Sequence, residues 1–116
     1  MISLIIPTYN RADLLRSALV SLIEQRLEQS RFEIIVVNNG STDNTNTVID
    51  EFNTQFTNFC GIYAPEPGLH TGRHVGMNAA KGDILVFADD DIEALPSWLS
   101  SIEEAFEDEQ VAMVGG

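Results

Sequence analysis

The hydrophobic residues of this chain change period repeatedly along its length. Ile2 to Ile6, Phe32 to Val37, Phe59 to Ala64, Ile84 to Ala88 and Val111 to Val114 are short, largely apolar runs. Between them, apolar residues recur at helical spacing. One set is Leu14, Leu15, Ala18, Leu19, Leu22 and Ile23; another is Val48, Ile49, Phe52 and Phe56; a third is Trp98, Leu99, Ile102 and Phe106. Short apolar runs read as buried strands, and the longer spacing reads as amphipathic helices. Strands that alternate with helices require crossover connections. The expected class is therefore α/β, a mainly parallel sheet with helices on both faces. At 116 residues and 44% hydrophobic content, the chain suffices for one compact domain and not two.

Local signals place the element ends. Asn10 offers a cap for the first helix, with Asp13 three residues on as a partial capping box. Ser41, Thr42 and Asp43 supply the second helix start. Residues 65–72 read as a loop by their prolines and glycines, and a short third helix is expected over Arg73 to Ala80. The unbroken run Ile84 to Ala88 reads as a central strand, covered on both faces. Pro96 sits where a fourth helix would open. Cys60, inside an apolar run, is expected to be a buried thiol.

Charge narrows the partners. The net charge is -12, from 6 Lys and Arg against 18 Asp and Glu. Neutralising a nucleic-acid backbone needs clustered cations, so nucleic acid is excluded. A nucleoside diphosphate is not, because one arginine, backbone N–H groups and a divalent cation held by acids suffice. Glu103, Glu104, Glu107, Asp108 and Glu109 read as a solvated helix face. A lone cysteine forms no internal disulfide, which permits a reducing compartment. No basic leader precedes Pro7, and no apolar run approaches the ~20 residues that span a membrane. A cytoplasmic location is expected, with the membrane surface as the alternative for a full-length protein.

The chemistry-bearing residues follow the strands: Pro7-Thr8-Tyr9-Asn10, Asn38-Asn39-Gly40-Ser41-Thr42-Asp43, Gly72-Arg73-His74-Val75-Gly76, and Asp89-Asp90-Asp91. In open α/β sheets, ligands collect at the carboxyl ends of strands where strand order reverses. Strand alternation lets Asp89 and Asp91 point one way and Asp90 another. Paired carboxylates repel unless a cation joins them, and hard oxygen ligands suit Mg²⁺ or Mn²⁺. The plainer reading is an acidic turn ahead of the next helix.

In order and spacing, these segments, with Ala80-Lys81-Gly82-Asp83 and Phe87-Ala88-Asp89, resemble the family 2 glycosyltransferases of the GT-A fold, from residue 2 to about residue 115. The resemblance implies that Pro7, Thr8 and Tyr9 cradle a nucleotide base, with Tyr9 stacked on it. Asn39 would bond the base edge, and Arg73 would reach the base or diphosphate. Asp89 would meet the ribose, Asp91 the metal, and Asp90 either, with Asp89 as the second metal carboxylate. The family commonly has Asp-Asp or Asp-Asn where this chain has Asn38-Asn39, which leaves the choice of base open. His74 stands where asparagine is common and reads as a surface residue.

The implied activity is transfer of a sugar, with inversion, from a nucleotide-diphosphate donor to the hydroxyl of a saccharide or lipid-linked acceptor. A UDP-sugar is the first choice, then thymidine or guanosine donors. The alternatives are a nucleotidyltransferase, which would want a basic glycine-rich loop after the first strand, and a non-catalytic nucleotide-binding module. The family continues beyond a point like Gly115-Gly116 into an acceptor-binding half that carries the general base. This chain is therefore expected to be the donor half, inactive in transfer alone. An uncovered strand edge would favour a two-fold homodimer.

Overall fold

Two strands form the centre of the sheet. β1 (Ile2–Thr8) and β2 (Phe32–Asn38) are buried at every residue. That is the signature of parallel strands covered on both faces. β3 (Phe59–Tyr63) pairs with β2, and β4 (Ile84–Phe87) pairs with β1, all in parallel. The spatial order is β3-β2-β1-β4. The computed structural model describes residues 1–65 and 69–107. The expected strand at Val111 to Val114 lies outside the described residues, as does part of the acidic run after Glu107.

The helices cover both faces, as the sequence pattern requires. Ile2, Leu4 and Ile6 of β1, with Phe32, Ile34 and Val36 of β2, face one layer. That layer holds α1 (Ala12–Ile23), α2 (Thr45–Phe52) and α4 (Trp98–Glu107), which contribute Leu15, Leu19, Leu22, Val48, Phe52, Leu99 and Ile102. The alternate residues Ile5, Ile35 and Val37 face α3 (Leu69–Ala79), which adds Val75 and Ala79. Each β-residue thus serves the layer that its parity dictates.

Several expectations need correction. α1 begins at Ala12 without a cap from Asn10; its first amide donates instead to Asp43 Oδ2 at 3.3 Å. α3 starts at Leu69, four residues before the expected Arg73, and takes in Gly72. Gly72, read as a loop residue, and Gly76, within the expected helix, serve close packing. A Cβ on Gly76 would lie 2.3 Å from Ile5 Cγ2, and one on Gly72 would lie 2.4 Å from Asn39 Nδ2. One turn apart, they let α3 lie directly on the sheet. Pro96 lies in the turn before α4, where the Trp98 amide donates to Leu95 O at 3.0 Å. Among the described residues β4 has β1 as its strand neighbour. Cys60 is exposed, not buried. α3 crosses β1 and β2; of the β3 residues on that face, Ile62 packs against the core and Cys60 is exposed. No described helix is long and apolar enough to cross a membrane.

Candidate functional site

Strand order reverses between β1 and β4. The chain leaves β1 toward β2 and β3, then returns across the sheet through α3 to β4 on the other side. A crevice opens at such a point beyond the carboxyl ends of the strands. All four segments singled out from the sequence start at those ends or abut them.

The two sides of the switch point are bonded to each other. Thr8, the last residue of β1, donates its hydroxyl to Asp90 Oδ2 at 2.8 Å, and both residues are buried. Arg11 approaches Asp90 Oδ1 to 3.1 Å with Nη1 and Asp91 Oδ2 to 3.5 Å with Nη2. Burial pushes the Asp90 carboxyl above its usual range, and the neighbouring Asp91 charge adds to this; the Thr8 bond and the Arg11 guanidinium pull against it. Asp89 and Asp91 are both exposed, on either side of buried Asp90. This is the alternation expected from a strand, although β4 ends at Phe87 and the triplet lies in a turn.

The end of β2 supplies a different kind of group. Asn39 is buried, its amide donates to Thr8 O at 2.9 Å, and its side-chain Oδ1 has no hydrogen-bond partner among the described residues. A buried acceptor without a donor costs about 1–3 kcal/mol, so it marks a place that a ligand N–H would satisfy. Pro7 and Gly72 pack beside it; the Cβ that Gly72 lacks would meet both Asn39 and Pro7. Arg73, next in α3, lays its guanidinium 5.7 Å from the centroid of Phe87, the last residue of β4. Tyr9 stands exposed after Thr8, with a ring face open for stacking. His74 is an exposed helix residue, as expected.

Asn38 proves structural. Its Nδ2 donates to Asn46 Oδ1 at 2.8 Å, and its Oδ1 accepts from the Ser41 amide at 3.0 Å. Gly40 then turns the chain at φ 74°, with no room for a Cβ beside Pro65 O. Asn10 clamps this loop to the first. At φ 51° it directs Oδ1 to the amides of Thr42 at 2.7 Å and Asp43 at 3.2 Å. Asp43 accepts from the Thr45 amide at 3.1 Å, from the Thr45 hydroxyl, and from Ala12. These bonds, the Thr45 hydroxyl first, hold its carboxyl below the usual range.

Sequence reasoning missed two functional features, Arg11 and the Asn10 clamp. For Arg11 a signal existed. Of 6 basic residues it is the one between the first strand and first helix, in a chain whose fourth strand ends in three acids. For Asn10, its cap-like position suggested bonds to its own helix, whereas its bonds go to another loop.

The residues suit a divalent cation in part. Among the described residues no three His, Cys, Asp or Glu cluster closely enough to hold a metal alone. Asp89 and Asp91 are exposed carboxylates of the hard-oxygen type that Mg²⁺ or Mn²⁺ prefers. Such ions commonly take one or two carboxylates and complete their shell with phosphate and water. The donor set therefore fits a cation that is held jointly with a diphosphate.

Residues 3–116 match the family described as glycosyl transferase family 2. The glycosyltransferase AglE of Haloferax volcanii is 32% identical over 116 residues, covering 99% of this chain and 38% of that protein. Staphylococcus aureus TarS in complex with UDP superimposes with a TM-score of 0.86 at 26% identity, over 92% of this chain and 32% of that one. The mannosyltransferase PcManGT from Pyrobaculum calidifontis, in complex with GDP-Man and Mn²⁺, gives a TM-score of 0.86 at 25% identity, over 95% of this chain and 33% of that one. The chain thus spans roughly a third of the length of these proteins.

Proposed function

The chain belongs to glycosyl transferase family 2 and has its GT-A fold, and on that premise we propose that it is the nucleotide-sugar-binding half of an inverting sugar transferase. The observation that carries this reading is the unpartnered acceptor at the end of β2. Asn39 Oδ1 is buried and unpartnered among the described residues beside Pro7 and Gly72, exposed Tyr9 follows β1, and exposed Arg73 of α3 lays its guanidinium over Phe87 at the end of β4. A base entering there would stack on Tyr9 and donate an imide N–H to Asn39 Oδ1. Uracil N3–H fits that demand, and UDP is the first choice; guanine N1–H meets it as well. Similar proteins carry both kinds of nucleotide, TarS in complex with UDP and PcManGT in complex with GDP-Man.

Each rim residue then has a task. Arg73 steadies the nucleotide from α3, and Asp89 holds the ribose. Asp91, with Asp89, would hold Mg²⁺ or Mn²⁺, which stabilises negative charge on the departing nucleoside diphosphate. Asp90 keeps the acidic turn registered on β1 through Thr8. Inversion needs a general base on the face of the sugar opposite the diphosphate. The carboxylates on the diphosphate side are therefore not that base. The acceptor is taken to be the hydroxyl of a saccharide or lipid-linked saccharide.

Calorimetric titration with UDP, GDP and TDP, with and without Mn²⁺, tests the reading. UDP is expected to bind most tightly and to gain affinity from Mn²⁺. Identical affinity for every nucleoside diphosphate would remove base reading by Asn39 and Tyr9.

A further inference from the structure

The acidic turn after β4 already holds a cation of the protein's own. Arg11 spans the switch point from the N-cap of α1, and its fork meets two carboxylates that are not alike. Asp90 is buried, and both of its oxygens have partners, Arg11 on Oδ1 and Thr8 on Oδ2. Asp91 is 49% exposed, and Arg11 is its ion-pair partner among the described residues, at the longer distance of 3.5 Å. The inner contact is desolvated at one end and held by a second bond. The outer one faces solvent, where an ion pair is worth little. The fork is anchored on Asp90 and loosely closed on Asp91.

Other basic groups do not share this task. Arg16 pairs with Glu51 and Arg31 with Glu103, and the guanidinium of Arg73 lies over Phe87. In a chain of net charge -12, Arg11 is the described cation that offsets the triplet.

We propose that Arg11 is the resident counter-ion of Asp91: it occupies that carboxylate in the donor-free protein, and once Asp91 is engaged it turns its outer nitrogen to the donor's diphosphate while staying anchored on Asp90. The inference rests on the nucleotide-sugar reading above and assigns Arg11 a positioning role within it. The arrangement suits arginine. A planar fork addresses two oxygens at once and can exchange one for a phosphate oxygen of matching geometry, which a lysine ammonium cannot do. The consequence is coupling. A divalent cation alone must compete with Arg11 for Asp91, whereas with a diphosphate present the displaced guanidinium has a new partner. Cation and nucleotide therefore strengthen each other's binding by the same factor.

The test is Mn²⁺ binding, followed through the EPR signal of the free ion, with and without UDP. Arg11→Gln is expected to tighten nucleotide-free Mn²⁺ binding about two- to fivefold, the scale of one exposed ion pair. It should reduce the gain from UDP by at least that factor, and Arg11→Lys should fall between it and the wild type. A folded Arg11→Gln protein with unchanged or weaker nucleotide-free Mn²⁺ binding overturns the inference. A second measurement needs no substitution. The Arg11 Nε–H resonance of the wild-type protein should shift when Mg²⁺ and UDP are added together and not with Mg²⁺ alone; a resonance unmoved by both together overturns the inference as well. Wild-type protein that binds UDP with Mn²⁺ while either Arg11 result is negative defeats this inference alone. Wild-type protein that binds no nucleoside diphosphate defeats the donor reading and this inference with it.

Discussion

Replacing Gly72 by alanine sets helix propensity against site geometry. Gly72 lies inside α3, where alanine would favour the helix by about 1 kcal/mol. Its new Cβ, however, would stand 2.4 Å from Asn39 Nδ2 and 2.9 Å from Pro7 Cβ. Ordinary carbon contacts begin near 3.5 Å, so about an ångström of movement is needed. Pro7 is a rigid ring in a buried strand, so Asn39 must yield, and it is buried too. Overpacking of this kind costs about 1–3 kcal/mol. The net change is a loss of up to about 2 kcal/mol, or a melting point lower by as much as ~8 °C for a domain of this size. Displacing Asn39 also removes the base-edge acceptor, which should weaken UDP binding about tenfold by calorimetry. Gly76→Ala is the control. Its Cβ would meet Ile5 Cγ2 at 2.3 Å, in the core below the rim. It should lower stability while the folded protein keeps its UDP affinity. A Gly72→Ala protein that is more stable than wild type and binds UDP equally well would refute both the close approach and the base-edge acceptor.

Asp91→Asn should weaken UDP binding measured with Mn²⁺ more than binding measured without it; equal loss in both conditions would remove Asp91 from cation binding. Asp90 and Asp43 should act oppositely on stability against pH. The Asp90 carboxyl is raised from 3.8 in the folded protein, so its contribution is fully present below about pH 4 and is lost as pH rises through the folded value. Asp90→Asn should therefore gain on wild type in denaturant titrations as pH rises from about 4, and a gap independent of pH would contradict this. Asp43 is lowered from 3.8, so its contribution is present above that value and is lost as pH falls through the folded one; Asp43→Asn should lose its disadvantage in acid. Cys60 is exposed, so a thiol reagent should label it in native buffer about as fast as in denaturant, and strong protection would contradict that exposure.

The α/β class and the layer order were legible because period carries them. β1 and β2 are apolar on both faces, and α1, α2 and α4 show one apolar stripe each. The positions of strands in the sheet were less legible. Ile84 to Ala88 and Phe59 to Ala64 both read as strands, yet on the α3 face Phe87 packs against the core and Cys60 lies open. That difference depends on where α3 crosses, which no local pattern encodes. The start of α3 was misread for a related reason. Glycine disfavours helices locally, and only the nearness of Asn39 and Ile5 explains Gly72 and Gly76 inside one. At the site, the residue types and strand ends could be read directly. The partners could not, because Asn10 to Thr42, Thr8 to Asp90 and Arg11 to Asp91 all join segments distant in sequence.

Those distant partners also explain why the triplet carries three acids rather than two. A single strand end could present Asp89 and Asp91 to a ligand without Asp90. Without it, among the described residues, the turn after β4 would be tied to β1 and the start of α1 through the Ala88 amide and the outer Arg11–Asp91 contact alone. The Thr8–Asp90 bond supplies a buried link across the switch point, where no backbone ladder continues past Phe87 and Ile5 except the Ala88 amide on Ile5 O at 3.0 Å. A buried carboxylate in that role needs a compensating charge. Arg11 provides it, and its second nitrogen is thereby delivered to Asp91. The inner carboxylate thus positions the end of β1 and also places Arg11 against the outer one. An asparagine at 90 could keep the Thr8 bond, but it would release Arg11, so geometry at the rim would survive while control of Asp91 would not.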